Sequence, residues 1–185
     1  MGLIFTDYIL FLNIMVMDKM FEIKSYIKNI SPKSGYIYPF IEVSEISEIK
    51  KIMKLIDMDY IEGAITIKYY SEYILDFSYW DYVDQLWSYF LDLIENFIMY
   101  KTSTINFPDQ PIKISLKKNS SRNCIIKIIS KIGTKSYVVP TLEFINAMLS
   151  SCEEFCICFE QIFGFSMKEE STKIKFIRSN LKNIR

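Results

Sequence analysis

An amphipathic stretch between residues 80 and 98 constrains the fold of this chain more than any other feature. At 100° per residue, its apolar side chains fall in one arc and its polar side chains in the opposite arc, as in a helix with one buried face. The apolar arc holds Trp80, Val83, Leu86, Trp87, Phe90, Leu91, Leu93, Ile94, Phe97 and Ile98. Ser78, with Asp81 three residues later, resembles a capping box, so we expect the helix to begin there.

A second long helix is predicted from Pro140 to a stop at Gly164, because proline suits the start of a helix and glycine the residue after its end. Its apolar face holds Phe144, Ile145, Met148, Leu149, Cys152, Phe155, Cys156, Phe159, Ile162 and Phe163. The two apolar arcs need a common layer to cover them. We therefore expect a core between helices and sheet that contains Trp80, Trp87, Phe90, Phe144, Phe155 and Phe159.

Period-2 alternation elsewhere predicts strands. The clearest case is residues 112–117, where isoleucine and leucine alternate with lysine and serine. Further strands are predicted over 21–30, 36–43, 64–70, 73–77, 123–130 and 136–139, and a short helix over 47–56. The order of strands, helix, strands and helix predicts an α+β fold, with a mainly antiparallel sheet and two long amphipathic helices packed on one face.

The chain is expected to divide into three segments. Residues 1–19 are expected to form an apolar extension, whose apolar segment from Leu3 to Met17 is shorter than the ~20 residues of a membrane helix, and Met17 and Met20 are alternative starting residues. Residues 20–164 are predicted to form a single α+β domain. Residues 165–185 are expected to be a basic tail, either a frayed helix or a disordered arm. We expect no membrane span and a cytoplasmic location.

The side chains available for chemistry are restricted, because the sequence contains no histidine and none of the common nucleotide-binding or hydrolase motifs. Zinc could be held by Cys124, Cys152 and Cys156, but a second pair of closely spaced cysteines is missing. We expect buried thiols, no metal and no cofactor. The carboxylates of Asp57, Asp59 and Glu62 are predicted to lie in a polar loop, and a carboxylate-based enzyme is the lowest of our alternatives.

Charge is segregated along the chain. Residues 69–100 contain six acidic residues and no basic one, and the predicted helix places Asp81, Asp84, Asp92 and Glu95 on its polar arc. Residues 110–142 contain seven basic residues and no acidic one. Charged surfaces of this kind steer the approach of oppositely charged partners. We expect the four carboxylates to form an exposed stripe that binds a cationic protein, and the strands of residues 112–135 to offer nucleic acid an alternative surface.

Three motifs carry a resemblance to a known group of proteins. They are the helix with W-D-Y-V-D-Q-L-W over 80–87, the F-P-D-Q-P turn over 107–111, and the F-I-N-A-M-L segment over 144–149. Together they resemble a group of small bacterial proteins with no established activity, over roughly residues 60–163. That group is similar in size and layout to immunity proteins of bacterial toxin systems. The resemblance implies a non-enzymatic, cytoplasmic protein-binding domain, such as an immunity protein that neutralises a toxin.

Overall fold

The computed structural model describes residues 20–31 and 39–184, so the predicted extension over 1–19 lies outside the described residues. Nine strands are described: β1 (Phe21–Lys28), β2 (Phe40–Glu42), β3 (Glu62–Tyr69), β4 (Glu72–Leu75), β5 (Asp81–Tyr82), β6 (Thr102–Asn106), β7 (Lys113–Lys118), β8 (Asn123–Ser130) and β9 (Gly133–Pro140). The α-helices among the same residues are α1 (Ile46–Ile52), α2 (Val83–Tyr100), α3 (Thr141–Phe163) and α4 (Lys168–Asn180). The α+β class predicted from the sequence is confirmed.

The strands form two antiparallel sheets rather than one. Sheet A has the order β2-β1-β3-β4, with β5 also paired to β3, and sheet B has the order β6-β7-β8-β9. The helix α2 separates them along the chain and packs against both, on β6 and β7 of sheet B and on β1 and β3 of sheet A. Each sheet therefore turns one face to the helices, and we call the opposite face its outer face.

The core expected from the two apolar arcs is present, with one exception. Trp87, Phe90, Phe144, Phe155 and Phe159 all belong to one buried cluster. The indole Nε1 of Trp87 donates a hydrogen bond of 2.9 Å to the Ser25 hydroxyl of β1, so the buried polar atom of this side chain is satisfied. The placement of Trp80 in this core is wrong, because that side chain is only partly buried and lies outside the cluster.

The first turn of α2 differs from the predicted capping box. The helix begins at Val83, and Ser78 lies in a 3-10 turn, where its backbone N–H donates to the Asp76 carboxylate at 2.8 Å. Residues 81 and 82 pair with β3 instead of entering the helix. Gly63 of β3 permits this arrangement, because a Cβ there would meet the Tyr26 carbonyl oxygen at 2.2 Å and Val83 at 2.9 Å. Pairing with β3 thus sets where α2 begins.

The boundaries of α3 agree with the sequence prediction. Pro140 immediately precedes the helix, and Gly164 ends it with a left-handed φ of 75° while its N–H donates to the Glu160 carbonyl at 2.9 Å. Glycine adopts this conformation at no steric cost, which explains why the helix stops there.

The structure also differs from the sequence prediction at the basic tail. Residues 168–180 form the regular helix α4, and its Ile174 and Ile177 side chains belong to the buried cluster. The periodicity of these isoleucines is masked in the sequence by five positive charges over residues 171–185. Lys173, Lys175 and Arg178 lie on other faces of α4 than these isoleucines, and the helix packs on α2 and α3 instead of extending into solvent as an arm. No helix in the described ranges is long and apolar enough to cross a membrane.

Candidate functional site

The four carboxylates predicted to form an exposed acidic stripe do not do so. Asp81 is fully buried, and α4 lies beside the other three. Lys173 of α4 forms an ion pair with Asp92 and lies 3.7 Å from the Glu95 carboxylate. Asp92 and Glu95 therefore have a neutralising lysine that sequence spacing could not reveal, because Lys173 is about eighty residues away along the chain.

Asp81 has a structural role in place of the predicted binding role. Its carboxylate accepts hydrogen bonds from the backbone N–H groups of Tyr82 at 2.7 Å, Asp109 at 3.1 Å and Gln110 at 2.9 Å. Several N–H donors around one carboxylate satisfy its buried charge. Asp81, the aspartate of the W-D motif, thereby holds the F-P-D-Q-P turn against the start of α2. This contact gives both motifs a structural role.

Asp84 lies half buried in the first turn of α2, close to α4. Burial, reinforced by the nearby negative charge of Glu170, raises the pKa of the Asp84 carboxyl above its usual value. Glu170 also accepts a hydrogen bond of 2.6 Å from the Ser88 hydroxyl. Asp84 therefore faces the α2–α4 contact and offers little carboxylate surface to a partner.

An aromatic surface that the sequence analysis missed covers the outer face of sheet A. The buried side chains of β1 alternate with Tyr26 and Lys28, which point outward, and the strand register places Phe40, Tyr73 and Tyr82 on the same side. The Phe77 ring lies over this side of the sheet. Its centroid is 4.8 Å from that of the Tyr26 ring and 4.9 Å from that of the Phe40 ring. We call this surface the aromatic face; its members are Tyr26, Phe40, Tyr73, Phe77, Trp80 and Tyr82.

Lysines between these rings are held by specific contacts. Lys24 pairs with Glu42 at 2.9 Å, and Lys28 pairs with Glu62 at 2.7 Å while its Nζ lies 4.3 Å from the Trp80 ring centroid. The hydrogen bond from Lys24 to Glu42 raises the pKa of Lys24. Cation–π and ion-pair contacts of this kind position the rings. Contacts within the chain therefore position the aromatic face in the absence of a partner.

A cleft of about 300 Å³ adjoins the aromatic face where β1, β3 and β5 meet. Its walls include Ile30, Leu55, Tyr60 and Tyr82, and the Tyr60 and Tyr82 rings lie 5.2 Å apart. Leu55 and Tyr60 are each more than half exposed. Desolvation, together with the negative charge of Asp109, raises the pKa of Tyr82. We call this site the tyrosine cleft.

Two of the three carboxylates that the sequence offers for a carboxylate-based enzyme line the tyrosine cleft. Asp57 and Glu62 line it, and the exposed Asp59 is adjacent in the chain. The Asp57 carboxylate accepts the Asp59 backbone N–H at 3.0 Å, an ordinary turn contact, and Glu62 is bound by Lys28. Asp57 thus takes part in an ordinary loop contact and Glu62 in an ion pair. The carboxylates of Asp57 and Glu62 give the tyrosine cleft an acidic side.

The cysteines lie in the core. Cys124, Cys152 and Cys156 are buried, and the described residues contain no group of three or more side chains placed to hold a metal ion. A hydrogen bond with Cys156, together with burial, raises the pKa of the Cys152 thiol, and burial raises that of Cys124 to about 11. Protonated thiols are the form that does not bind metals. The absence of zinc from the protein stays a prediction.

The basic strands carry their lysines on a different surface. The register of sheet B places Lys113, Lys117 and Lys127 on its outer face, all three exposed. Lys118 and Lys135 belong to the opposite register, so the predicted basic region of residues 112–135 is divided between two sides. We call the surface around Lys113, Lys117 and Lys127 the basic face.

The aromatic face escaped sequence analysis for an identifiable reason. Local periodicity predicts Tyr26 and Phe77 in strands and Trp80 on the buried arc of a helix, because it does not show which face of a strand the sheet leaves open. A signal existed in β1, where Tyr26 and Lys28 share the polar register with Glu22 and Lys24. Comparison of the chain with protein-family models, with curated proteins and with solved structures found no match.

Proposed function

We propose that this chain is a non-enzymatic, cytoplasmic protein-binding domain, of the class to which immunity proteins of bacterial toxin systems belong. The observation that carries the proposal is the exposed aromatic surface formed by the aromatic face and the tyrosine cleft. A few residues carry most of the binding energy at protein interfaces, and tyrosine and tryptophan are enriched among them. Contiguous exposed apolar surface on a folded domain is typical of an interaction site.

The partner that fits this surface carries a basic patch. Asp57 lines the tyrosine cleft and is exposed, with the exposed Asp59 two residues away and Asp109 close to Tyr82. Lys28 is the one cation among the described residues that line the cleft, and it is paired with Glu62, so the uncompensated charge of this described lining is negative. Complementary rim charges increase the association rate of a cationic partner, while the aromatic side chains exclude water at the centre. A toxin domain with a basic active site has this chemistry.

Truncation of the aromatic side chains tests the proposal. A partner is first captured from the native host, identified, purified and titrated against the wild-type domain by calorimetry. Tyr60→Ala and Trp80→Ala should each weaken binding about 30-fold, which corresponds to a hot-spot contribution of about 2 kcal/mol. Tyr100→Ala is the matched control, because Tyr100 is 68% exposed but lies at the end of α2.

The fold should survive all three substitutions, since none of these side chains belongs to the buried cluster. Thermal unfolding of each variant checks this. A purified partner that binds Tyr60→Ala and Trp80→Ala as tightly as it binds the wild-type domain would remove the aromatic face and the tyrosine cleft from the proposed interface. Asp57→Asn should slow association at low salt, which would distinguish charge steering from aromatic packing.

A further inference from the structure

The outer face of sheet B presents rows of hydroxyl and ammonium groups. Its central row, read across the four strands by register, is Thr104, Ser115, Lys127 and Ser136. Lys113 and Lys117 flank Ser115 on β7. Lysine and hydroxyl groups are the usual donors to phosphate oxygens in protein complexes with nucleic acids.

The charge of this face is uncompensated. The four strands contain no acidic residue, and within the described ranges none of the lysines Lys113, Lys117 and Lys127 forms an ion pair. This differs from sheet A, where Lys24 and Lys28 each contact a glutamate. The basic face is therefore a local positive surface on a chain whose formal net charge is zero.

The spacing of the lysines suits a phosphate backbone. Lys113 and Lys117 are four residues apart on one strand, a separation of about 13 Å at roughly 3.3 Å per residue. Lys127 lies opposite Ser115, on the neighbouring strand about 4.8 Å away, so it stands between the other two. The three ammonium groups therefore span a length that covers several successive phosphates of one nucleic-acid strand.

The other side chains on the face indicate how a nucleic acid would be bound. The outward register of the four strands carries no aromatic residue, so it offers no stacking platform for unpaired bases. The apolar members of the face, Ile125, Ile129 and Val138, lie on β8 and β9, and Ile125 is opposite Lys117. Contacts to phosphates alone give binding without sequence preference, and a duplex presents phosphates without requiring stacked bases.

We propose that the basic face binds the phosphate backbone of duplex nucleic acid, as a second interaction surface independent of the proposed protein interface. Lys113, Lys117 and Lys127 contact phosphates, and the hydroxyls between them donate further hydrogen bonds. Each lysine that neutralises a phosphate releases condensed counterions, so the affinity depends steeply on salt.

Fluorescence anisotropy with the full chain and a labelled DNA duplex of twenty base pairs tests the proposal. Three phosphate contacts predict a slope of about −2.7 for log affinity against log salt, which is a loss of about 40-fold between 50 and 200 mM KCl. The variant Lys113→Ser, Lys117→Ser, Lys127→Ser should bind at least about tenfold more weakly at 50 mM and with a shallower slope. A second duplex of unrelated sequence should bind with an affinity within about twofold of the first.

The matched control removes three exposed lysines from other surfaces, in the variant Lys50→Ser, Lys54→Ser, Lys175→Ser. It changes the net charge equally and should retain wild-type affinity. Equal weakening by both triple variants would overturn the proposal, because the attraction would then follow total charge rather than the basic face. Binding to phosphatidylserine vesicles without binding to the duplex would also overturn it, in favour of a membrane surface. Melting temperatures within about 2 °C of wild type verify that each variant is folded.

Discussion

At the scale of single residues, burial separates side chains that look equivalent in the sequence. The two tryptophans lie seven positions apart in one predicted helix, yet Trp87 is fully buried and hydrogen-bonded to Ser25, whereas Trp80 stacks beneath Lys28 on the aromatic face. The aspartates divide in the same way. Asp81 is enclosed by backbone N–H donors, and Asp109, whose own N–H is one of these donors, keeps its carboxylate exposed.

Asp81→Ala tests the structural role of the buried carboxylate. The substitution leaves the N–H groups of Asp109 and Gln110 without an acceptor, and it should lower the free energy of unfolding by about 2–4 kcal/mol, measured by urea denaturation. Asp109→Ala is the control, because its side chain is exposed while its backbone N–H is retained; it should cost less than about 0.5 kcal/mol. Equal effects of the two substitutions would show that the turn is not held by Asp81.

At the scale of elements, the packing of α4 determines how the acidic side chains of α2 are neutralised. α2 would present Asp84, Asp92 and Glu95 to solvent if the chain ended at Gly164. Packing of α4 brings Lys173 to that stripe, and Arg178 of the same helix pairs with Glu153 of α3 at 2.5 Å. Partly exposed ion pairs contribute little stability, so the buried isoleucines of α4 supply most of the energy that holds it.

Ile174→Ala tests whether α4 belongs to the folded domain. Ile174 is fully buried, so its truncation should lower the free energy of unfolding by about 2–4 kcal/mol in a single cooperative transition. Phe176→Ala on the same helix is the control, since Phe176 is 51% exposed and should cost little. Hydrogen exchange over residues 168–180 gives a second measurement. Fast exchange there in the wild-type chain, with no effect of Ile174→Ala, would support the disordered arm expected from the sequence.

At the scale of the whole molecule, two sheets carry two outer faces of different chemistry. Sheet A presents aromatic rings beside exposed carboxylates, and sheet B presents Lys113, Lys117 and Lys127, which form no ion pair with any described residue. The sheets meet where the Tyr137 hydroxyl of β9 donates to the Tyr73 carbonyl of β4 at 3.3 Å. The formal net charge of zero is therefore the sum of opposed surfaces rather than a uniform surface.

The two surfaces should act independently. They share no residue and lie on different sheets, so free-energy changes from substitutions on each should add. The Tyr60→Ala, Trp80→Ala variant is expected to bind the duplex like wild type, and the triple lysine variant is expected to bind the purified protein partner like wild type. A variant that combines these five substitutions is titrated with each ligand in turn. These titrations measure the free energy of coupling between the two surfaces. A coupling energy above about 0.5 kcal/mol would show that one ligand contacts both sheets.

The elements with strong local periodicity could be predicted from the sequence alone. The bodies of α2 and α3, the stop at Gly164, the strand at residues 123–130 and the burial of Trp87 all follow from spacing and turn chemistry over a few residues. β6 was not predicted, because Ile105 is its one large apolar side chain. Long-range contacts alone determine that the strands form two sheets, that Asp81 is buried, that α4 packs beside the other acidic residues of α2, and that Phe77 and Trp80 lie on the outer face of sheet A. These outcomes depend on contacts between residues far apart in the chain, such as Asp81 with Gln110 and Asp92 with Lys173, and local periodicity carries no information about which distant segment will supply the partner.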